Sequence, residues 1–330
     1  MWQGLLICAA LTTAGFGLVR LPGLAESGVS PLVVALLLGI LAGNLPLARR
    51  LEHAGPGLAF ATRWLLRGGI VLFGLSLTLQ QIVALGPKVL LLDALVITGV
   101  LTVGYVIGTR VLGMDRETTL LTSAGSAICG AAAVLATEST IRSRPAATAM
   151  AVATVVLFGS LAMLLYPLLY PLLGMDEGLY GIYIGATIHE VAQVVAAGEA
   201  VGPEALANAV IVKLVRVMLL VPFLLIVGQW WLRRHTPAEG RAPGGLVIPW
   251  FAFGFMAMVV FNSLVDLPAP LHDALVLAGQ VALTMAMAAL GFETRLEKLR
   301  ALGIRPFLLA LTLFVLLIGG GWIASYLVMR

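Results

Sequence analysis

The chain has 330 residues, 60% of them apolar and 11% charged, against about 45–50% and about 25% in soluble domains. That balance excludes an ordinary soluble globular protein. At ~20 apolar residues per crossing, the apolar stretches suffice for about eleven bilayer spans, with roughly 100 residues left for loops. A pI of 9.3 does not indicate nucleic acid, because the basic residues sit in short clusters between apolar runs, with no basic face and no interleaved aromatics. Cys8 and Cys129 lie in apolar stretches without a partner at disulfide or metal spacing, so the disulfide-scaffold and zinc-ribbon readings fail; no cofactor or metal is expected.

Punctuated by Gly, Pro and charge, the spans run near Gly4 to Val19, Val29 to Leu45, Gly68 to Leu85, Val89 to Leu112, Leu120 to Thr137 and Pro145 to Leu173. Five more follow, near Leu179 to Ala197, Ala205 to Leu232, Leu246 to Val265, Leu271 to Phe292 and Pro306 to Met329. They are longer than the ~10-residue alternating strands of a membrane barrel and apolar all round, which predicts an all-α polytopic protein. The first run has no basic n-region or cleavage site and reads as a retained helix. Loop Lys and Arg set the orientation. Arg49, Arg50, Arg63 and Arg67, then Arg233, Arg234 and Arg241, then Arg295, Lys298, Arg300 and Arg305 fall on one side, taken as cytoplasmic, while Glu199, Glu204, Asp266 and Asp273 fall on the other. The N-terminus is then inside and the C-terminus outside. Arg142 and Arg144 break this pattern unless segment 118–141 re-enters the membrane instead of crossing it.

Eleven segments divide as one extra helix (1–25) and two sets of five (29–174 and 178–330), and an odd repeat places its copies in opposite orientations. This predicts an inverted repeat. The fifth and tenth segments would be equivalent, crossing and broken near Gly125 to Gly130 and near Gly279 to Thr284. A bundle without internal symmetry is the alternative.

A charge at mid-span costs about 2.5–3.5 kcal/mol. Lys213 and Arg216, at i and i+3, share a helix face and offer only hydrogen-bond donors. They suit an anionic ligand, or acids on neighbouring helices. Thr187-Ile-His-Glu-Val-Ala-Gln193 brings His189 and Gln193 to one face at i and i+4, beside Glu190, and such groups favour ion pathways and proton relays. His189-Glu190-x-x-Gln193 falls one residue short of the zinc motif H-E-x-x-H, and Gln is a poor zinc ligand; an intramembrane metalloprotease is the weakest alternative. The run Ser123-Ala-Gly-Ser126-Ala-Ile-Cys129-Gly130 packs helices closely or breaks one to line a cavity. Ser126 and Cys129 lack an activating base nearby. Glu138, Asp93 and Lys88 read as interfacial.

Ser126-Ala-Ile-Cys-Gly-Ala-Ala-Ala133, Ala186-Thr-Ile-His-Glu-Val-Ala-Gln-Val-Val-Ala-Ala-Gly198 and Val210-Ile-Val-Lys-Leu-Val-Arg-Val-Met218 resemble the YeiH-like membrane proteins, grouped as sulfate exporters. Pro249-Trp-Phe251 and Ala286-Met-Ala-Ala-Leu-Gly-Phe-Glu-Thr294 extend the resemblance over most of the chain from about Pro31 onward. It departs from the family pattern at Ser76, where an Arg is expected. The resemblance implies the superfamily of cation:proton antiporters and anion transporters, with inverted five-helix repeats, crossed broken helices and elevator-like motion.

The expected function is secondary transport, not catalysis: export of a small inorganic or organosulfur anion across the inner (plasma) membrane. Lys213, Arg216, Ser123, Ser126, Cys129, Gly130, Gln193 and Thr284 would line the substrate path, and His189 and Glu190 would carry protons. A cation:proton antiporter is the runner-up. No Walker A motif occurs, so energy comes from an ion gradient, substrate exchange or a separate subunit. Partners reduce to the anion, the bilayer and, where the protein oligomerises, further copies of the chain. Single cysteines introduced beside Arg50 and Arg233 should label only from the cytoplasmic side, and one beside Arg330 only from outside.

Overall fold

The computed structural model describes residues 1–21, 30–45, 54–234, 250–293 and 303–330. Arg49, Arg50, His53, His235, Arg241, Pro249, Thr294, Arg295, Lys298 and Arg300, and the span ends Val29 and Leu246, lie outside them. Regular structure among the described residues is helical throughout, and six helices are long and apolar enough to cross a membrane.

The chain divides into two compact units. The first comprises 1–86, 195–203 and 250–297, and the second 87–194, 204–249 and 298–330. Each draws on both of the sequential stretches 29–174 and 178–330.

In the first unit, α1 (Trp2–Leu18) is followed by α2 (Pro31–Asn44), which begins with Pro31 at the position where a missing N–H costs nothing. The third helix, α3, runs Gly55–Ser76. It starts thirteen residues before the expected Gly68 and stops before the expected Leu85, because Arg63 and Arg67 do not end it. Each guanidinium lies 5.6 Å from an aromatic centroid, Arg63 over Trp64 and Arg67 over Phe251, so the charges sit at a helix flank in cation–π contact. A wide turn at Ala61–Leu65 and a tight one at Gly74–Ser76 mark where the helix changes pitch. The separate α4 (Leu79–Leu85) opens with a reciprocal Thr78–Gln81 capping box.

Helices α13 (Trp250–Leu264) and α14 (Ala269–Glu293) complete this unit. The break expected near Gly279 to Thr284 does not occur, and α14 is continuous. Gly279 lies against Leu72, where an added Cβ would come within 2.9 Å of the leucine Cβ. The Thr284 hydroxyl donates back to Gln280 O at 2.7 Å. The small residues of α14 thus serve close packing, the alternative use of such composition in membranes. Gly39 of α2 and Gly291 of α14 cross closely, each with its virtual Cβ 3.1 Å from the other's Cα.

In the second unit, α5 (Lys88–Val111) ends in a wide turn at Ile107–Val111 and leads to α6 (Arg116–Ala127). After a break at 128–130 the chain continues as α7 (Ala131–Ile141), then α8 (Pro145–Leu173). Asp115 caps α6 by accepting from Thr118 N at 3.0 Å. Arg144, just beyond α7, reaches the same end: it donates to Asp115 Oδ1 at 2.7 Å and to Glu117 Oε2 at 2.9 Å. Segment 116–141 therefore leaves and returns to one place, a hairpin of two half-helices instead of the single crossing of Leu120 to Thr137. Desolvation works against the Asp115 carboxylate, but its bonds from Thr118 and the Arg144 charge outweigh that and hold it below the usual carboxylate range. The clasp consequently weakens as pH falls through that lowered value.

The second hairpin repeats the plan. Helix α9 (Glu177–Thr187), capped by Asp176 at Leu179 N (2.8 Å), breaks at 188–190 and continues as α10 (Val191–Val201), whose residues from Val195 on are counted with the first unit. Glu177 Oε1 accepts from Glu204 N at 2.8 Å and Ala205 N at 3.2 Å, and Asn208 donates to Gly178 O at 3.1 Å. Both ends again lie together. Helix α11 (Pro203–Met218) then passes into α12 (Leu220–Arg234) across a kink at Leu219, where Pro222 lacks the N–H that would bond Met218 O. The last helix, α15 (Ile304–Met329), packs on α5, α6 and α9.

Gly291→Ala should destabilise the protein by about 1–3 kcal/mol, the cost of overpacking, because its Cβ would strike Leu36 O on α2. Gly319→Ala, with open space around it, should leave the thermal midpoint unchanged. Melting of the purified variants in detergent checks both.

Candidate functional site

Both breaks fall in the second unit and meet on one helix face. A broken transmembrane helix exposes carbonyls at the C-terminal end of its first half and N–H groups at the N-terminal end of its second. Without water these need protein partners. Lys213 and Arg216, one turn apart on α11 as their spacing predicts, serve the carbonyl ends of both hairpins. Lys213 Nζ donates to Ile128 O at 2.7 Å and to Ile188 O at 2.6 Å. Arg216 Nε donates to Ala127 O at 2.7 Å, and its terminal nitrogens donate to Ala127 O and Ala186 O and, at 3.3 Å, to Ser126 O. Both side chains are wholly buried. Cations at helix C-termini also oppose the negative ends of the two dipoles.

The other ends are closed by the His189–Gln193 segment. Glu190 Oε1 accepts from Ala131 N at 3.2 Å, placing a carboxylate at the positive end of α7. Gln193 Oε1 accepts from Glu190 N at 3.0 Å, as the third residue of α10 does in a capping box. At the first break Gly130 has φ 66°, and a Cβ there would collide with Glu190 Cγ. Only glycine meets both conditions.

Lys213, Arg216, Ser126, Cys129, Gly130, Glu190, Gln193 and His189 are thus gathered around the two breaks. His189 and Gln193 do not share a continuous helix face, because the interruption at 188–190 separates them, and the uninterrupted helix on which H-E-x-x-H depends is missing. His189 is 1% exposed, with neither ring nitrogen hydrogen-bonded to protein; the Ser126 hydroxyl and Gln193 Nε2 share that condition. Ser123 is buried a turn away, donating to Thr119 O at 2.7 Å. Thr284 belongs to the first unit.

Two features escaped the sequence reading. The break in the seventh segment is signalled by Glu190-x-x-Gln193, a capping pattern in mid-span. Asp93, read as interfacial, is 0% exposed on α5 within the second unit, and both its oxygens lack a protein partner. Its charge acts on Arg216 and Lys213. Glu138 and Lys88 remain partly or fully open, as expected of interfacial groups.

These features define a helical integral membrane protein with two interrupted hairpins held by a shared pair of buried cations. The chain belongs to the UPF0324 family of membrane proteins. Residues 3–310 match the family model described as conserved hypothetical protein 698. A UPF0324 membrane protein of Pseudomonas aeruginosa is 46% identical over 97% of this chain and 92% of its own. The UPF0324 inner membrane protein YeiH of Salmonella typhimurium is 44% identical over 97% and 93%. A UPF0324 membrane protein of Bordetella pertussis is 46% identical over the same shares. No solved structure matches the chain.

Arg216→Met removes the donors from carbonyls of both hairpins at once, and should cost about 1.5–3 kcal/mol for each charge-assisted bond not replaced. A fall in thermal midpoint, partly recovered in Arg216→Gln, is the expected result.

Proposed function

We propose that this chain is a secondary transporter of a small oxyanion in the inner membrane, with sulfate-like and sulfonate ions as the candidate substrates. The observation that carries this reading is the pair of interrupted hairpins meeting at two buried cations. Broken helices at membrane depth occur where backbone lines a substrate site. Besides the two positive charges, the cluster offers the His189 ring nitrogens, the Ser126 hydroxyl and the Gln193 Nε2 amide nitrogen, polar atoms without a protein hydrogen-bond partner that suit the oxygens of an anion. That each compact unit draws on both sequential stretches is consistent with two repeats of opposite orientation that exchange elements.

The hairpins also suggest the topology. If both re-enter, nine segments cross, and Arg142 and Arg144 join the other arginine clusters inside, while Asp176, Glu177 and Glu204 lie outside. The N-terminus stays cytoplasmic and the C-terminus external, since two re-entrant segments leave the parity of the count unchanged. The arginine clusters then all fall on the cytoplasmic side, as the positive-inside rule expects, and only isolated residues such as Arg20 and Lys88 fall outside.

Export is the direction the family resemblance implies. The buried carboxyl of Asp93 favours a second reading, cation:proton antiport, in which an acid exchanges a metal cation for a proton. Proteoliposomes separate the two. Vesicles preloaded with unlabelled sulfate or methanesulfonate should take up the labelled ion by exchange, and Arg216→Gln should slow that uptake at least tenfold in protein that still elutes as folded. Collapse of an imposed pH gradient on adding Na⁺ or K⁺, without dependence on either anion, would replace anion transport by antiport.

A further inference from the structure

Among the described residues of the second unit, Asp93 is the fully buried charged residue for which the capping scheme has no use. It lies on α5, roughly 8 Å from the start of the helix at 1.5 Å per residue. It is 0% exposed, and no protein donor lies within hydrogen-bond distance of either oxygen. An ionised carboxylate in that state is among the costliest groups a membrane protein can hold, and it persists where it serves a proton or ion pathway. The charges that reach it are Arg216 and Lys213, whose hydrogen bonds run to the carbonyls of 126–128, 186 and 188. Among the described residues α5 packs chiefly on α6, α9 and α15, and its Tyr105 meets Trp230 of α12, a residue without a titratable side chain. Of these, α6 carries hydroxyls along its buried stretch with Arg116 and Glu117 at its outer end, α9 carries Tyr180 and Tyr183 with Glu177 at its outer end, and α15 carries Arg305 and Tyr326 near its ends.

The other titratable groups at the breaks are less suited to shuttling: the buried Cys129 thiol is neutral at ordinary pH and has no proton to take up. The Glu190 carboxylate is engaged at Ala131 N, where its negative charge matches the end of α7. A protonated His189 would add a third positive charge beside Lys213 and Arg216, whose fields reach it. With Lys213 and Arg216 positive and Glu190 and Asp93 negative, the cluster is neutral; an arriving anion makes it negative, and one proton on Asp93 offsets one of the added charges.

We propose that Asp93 exchanges the proton at this site, taking it from water as the anion arrives and returning it as the anion leaves. This rests on the anion-transport reading above. The step is a proton transfer alone: water-borne H⁺ joins one carboxylate oxygen, and no other bond changes. By linkage each ligand then raises the affinity for the other by the same factor, so the two travel in the same direction.

Two measurements on purified full-length protein test this. In the first, sulfate binding is followed by calorimetry from about pH 5 to about pH 9, the range in which buried carboxyls titrate. Wild type should bind with uptake of a proton, its affinity falling up to about tenfold per pH unit above the titration point. Asp93→Asn should bind with no pH slope, and Asp93→Glu should restore the slope at a displaced midpoint. A slope that survives in Asp93→Asn overturns the assignment. The second is infrared difference spectroscopy over the same pH range, without any anion. The carbonyl stretch of a protonated carboxylic acid should appear in wild type, vanish in Asp93→Asn and shift in Asp93→Glu. Its absence in wild type at every pH overturns the assignment even if Asp93→Asn does not fold. If sulfate and methanesulfonate both fail to bind, anion transport falls, while the infrared result still decides whether Asp93 is the group that titrates.

Discussion

Inside a bilayer, every backbone donor and acceptor needs a partner from the protein itself, and the second unit is organised by that requirement. Two hairpins interrupted at 128–130 and 188–190 present open carbonyls at the same depth. One helix, α11, reaches carbonyls at both interruptions with Lys213 and Arg216. The remaining ends are closed by Glu190 and Gln193. Because Glu190 at the second break caps the half-helix after the first, neither hairpin is complete alone. The cations are therefore structural and electrostatic at once: they hold the breaks in place and they set a positive potential there.

The first unit uses similar residues differently. Gly39, Gly279 and Gly291 sit within continuous helices, and their lack of a side chain lets backbones approach. In the second unit Gly130 supplies the positive φ of an actual interruption. What separates the two uses is the presence of buried charge able to satisfy the opened backbone. Lys213 and Arg216 meet that condition for α6 and α9, whereas the Thr284 hydroxyl merely returns to its own helix.

This distinction explains what the sequence disclosed. The all-helical membrane architecture, the shared face of Lys213 and Arg216 and the interruption near Gly125 to Gly130 were legible, because apolar run length, helical spacing and small-residue density are local properties. A break at Gly279 to Thr284 was not distinguishable from close packing by composition, since both want small residues. The break at Ile188 was hidden by an apolar β-branched residue in extended conformation (φ −71°, ψ 146°), though the Glu190–Gln193 cap was there to be read. Asp93 was misplaced because distance from a helix end says nothing about which face is covered. Arg144 resolved its own conflict only through contacts with Asp115 and Glu117, about thirty residues earlier in the chain.

The shared clasp also imposes an order on biogenesis. Lys213 and Arg216 follow the carbonyls of the first hairpin by 85 to 90 residues, a lag on the order of 10 s at typical synthesis rates of 5–20 residues per second. During that interval α6 and α7 have no partner for their open ends and no reason to enter hydrocarbon. The first hairpin must wait in the translocation machinery, at the interface or in water until α11 has been made, and only then can both hairpins be buried together. Insertion of this protein is thus not a sequence of independent helices but a late, cooperative closure around a single helix.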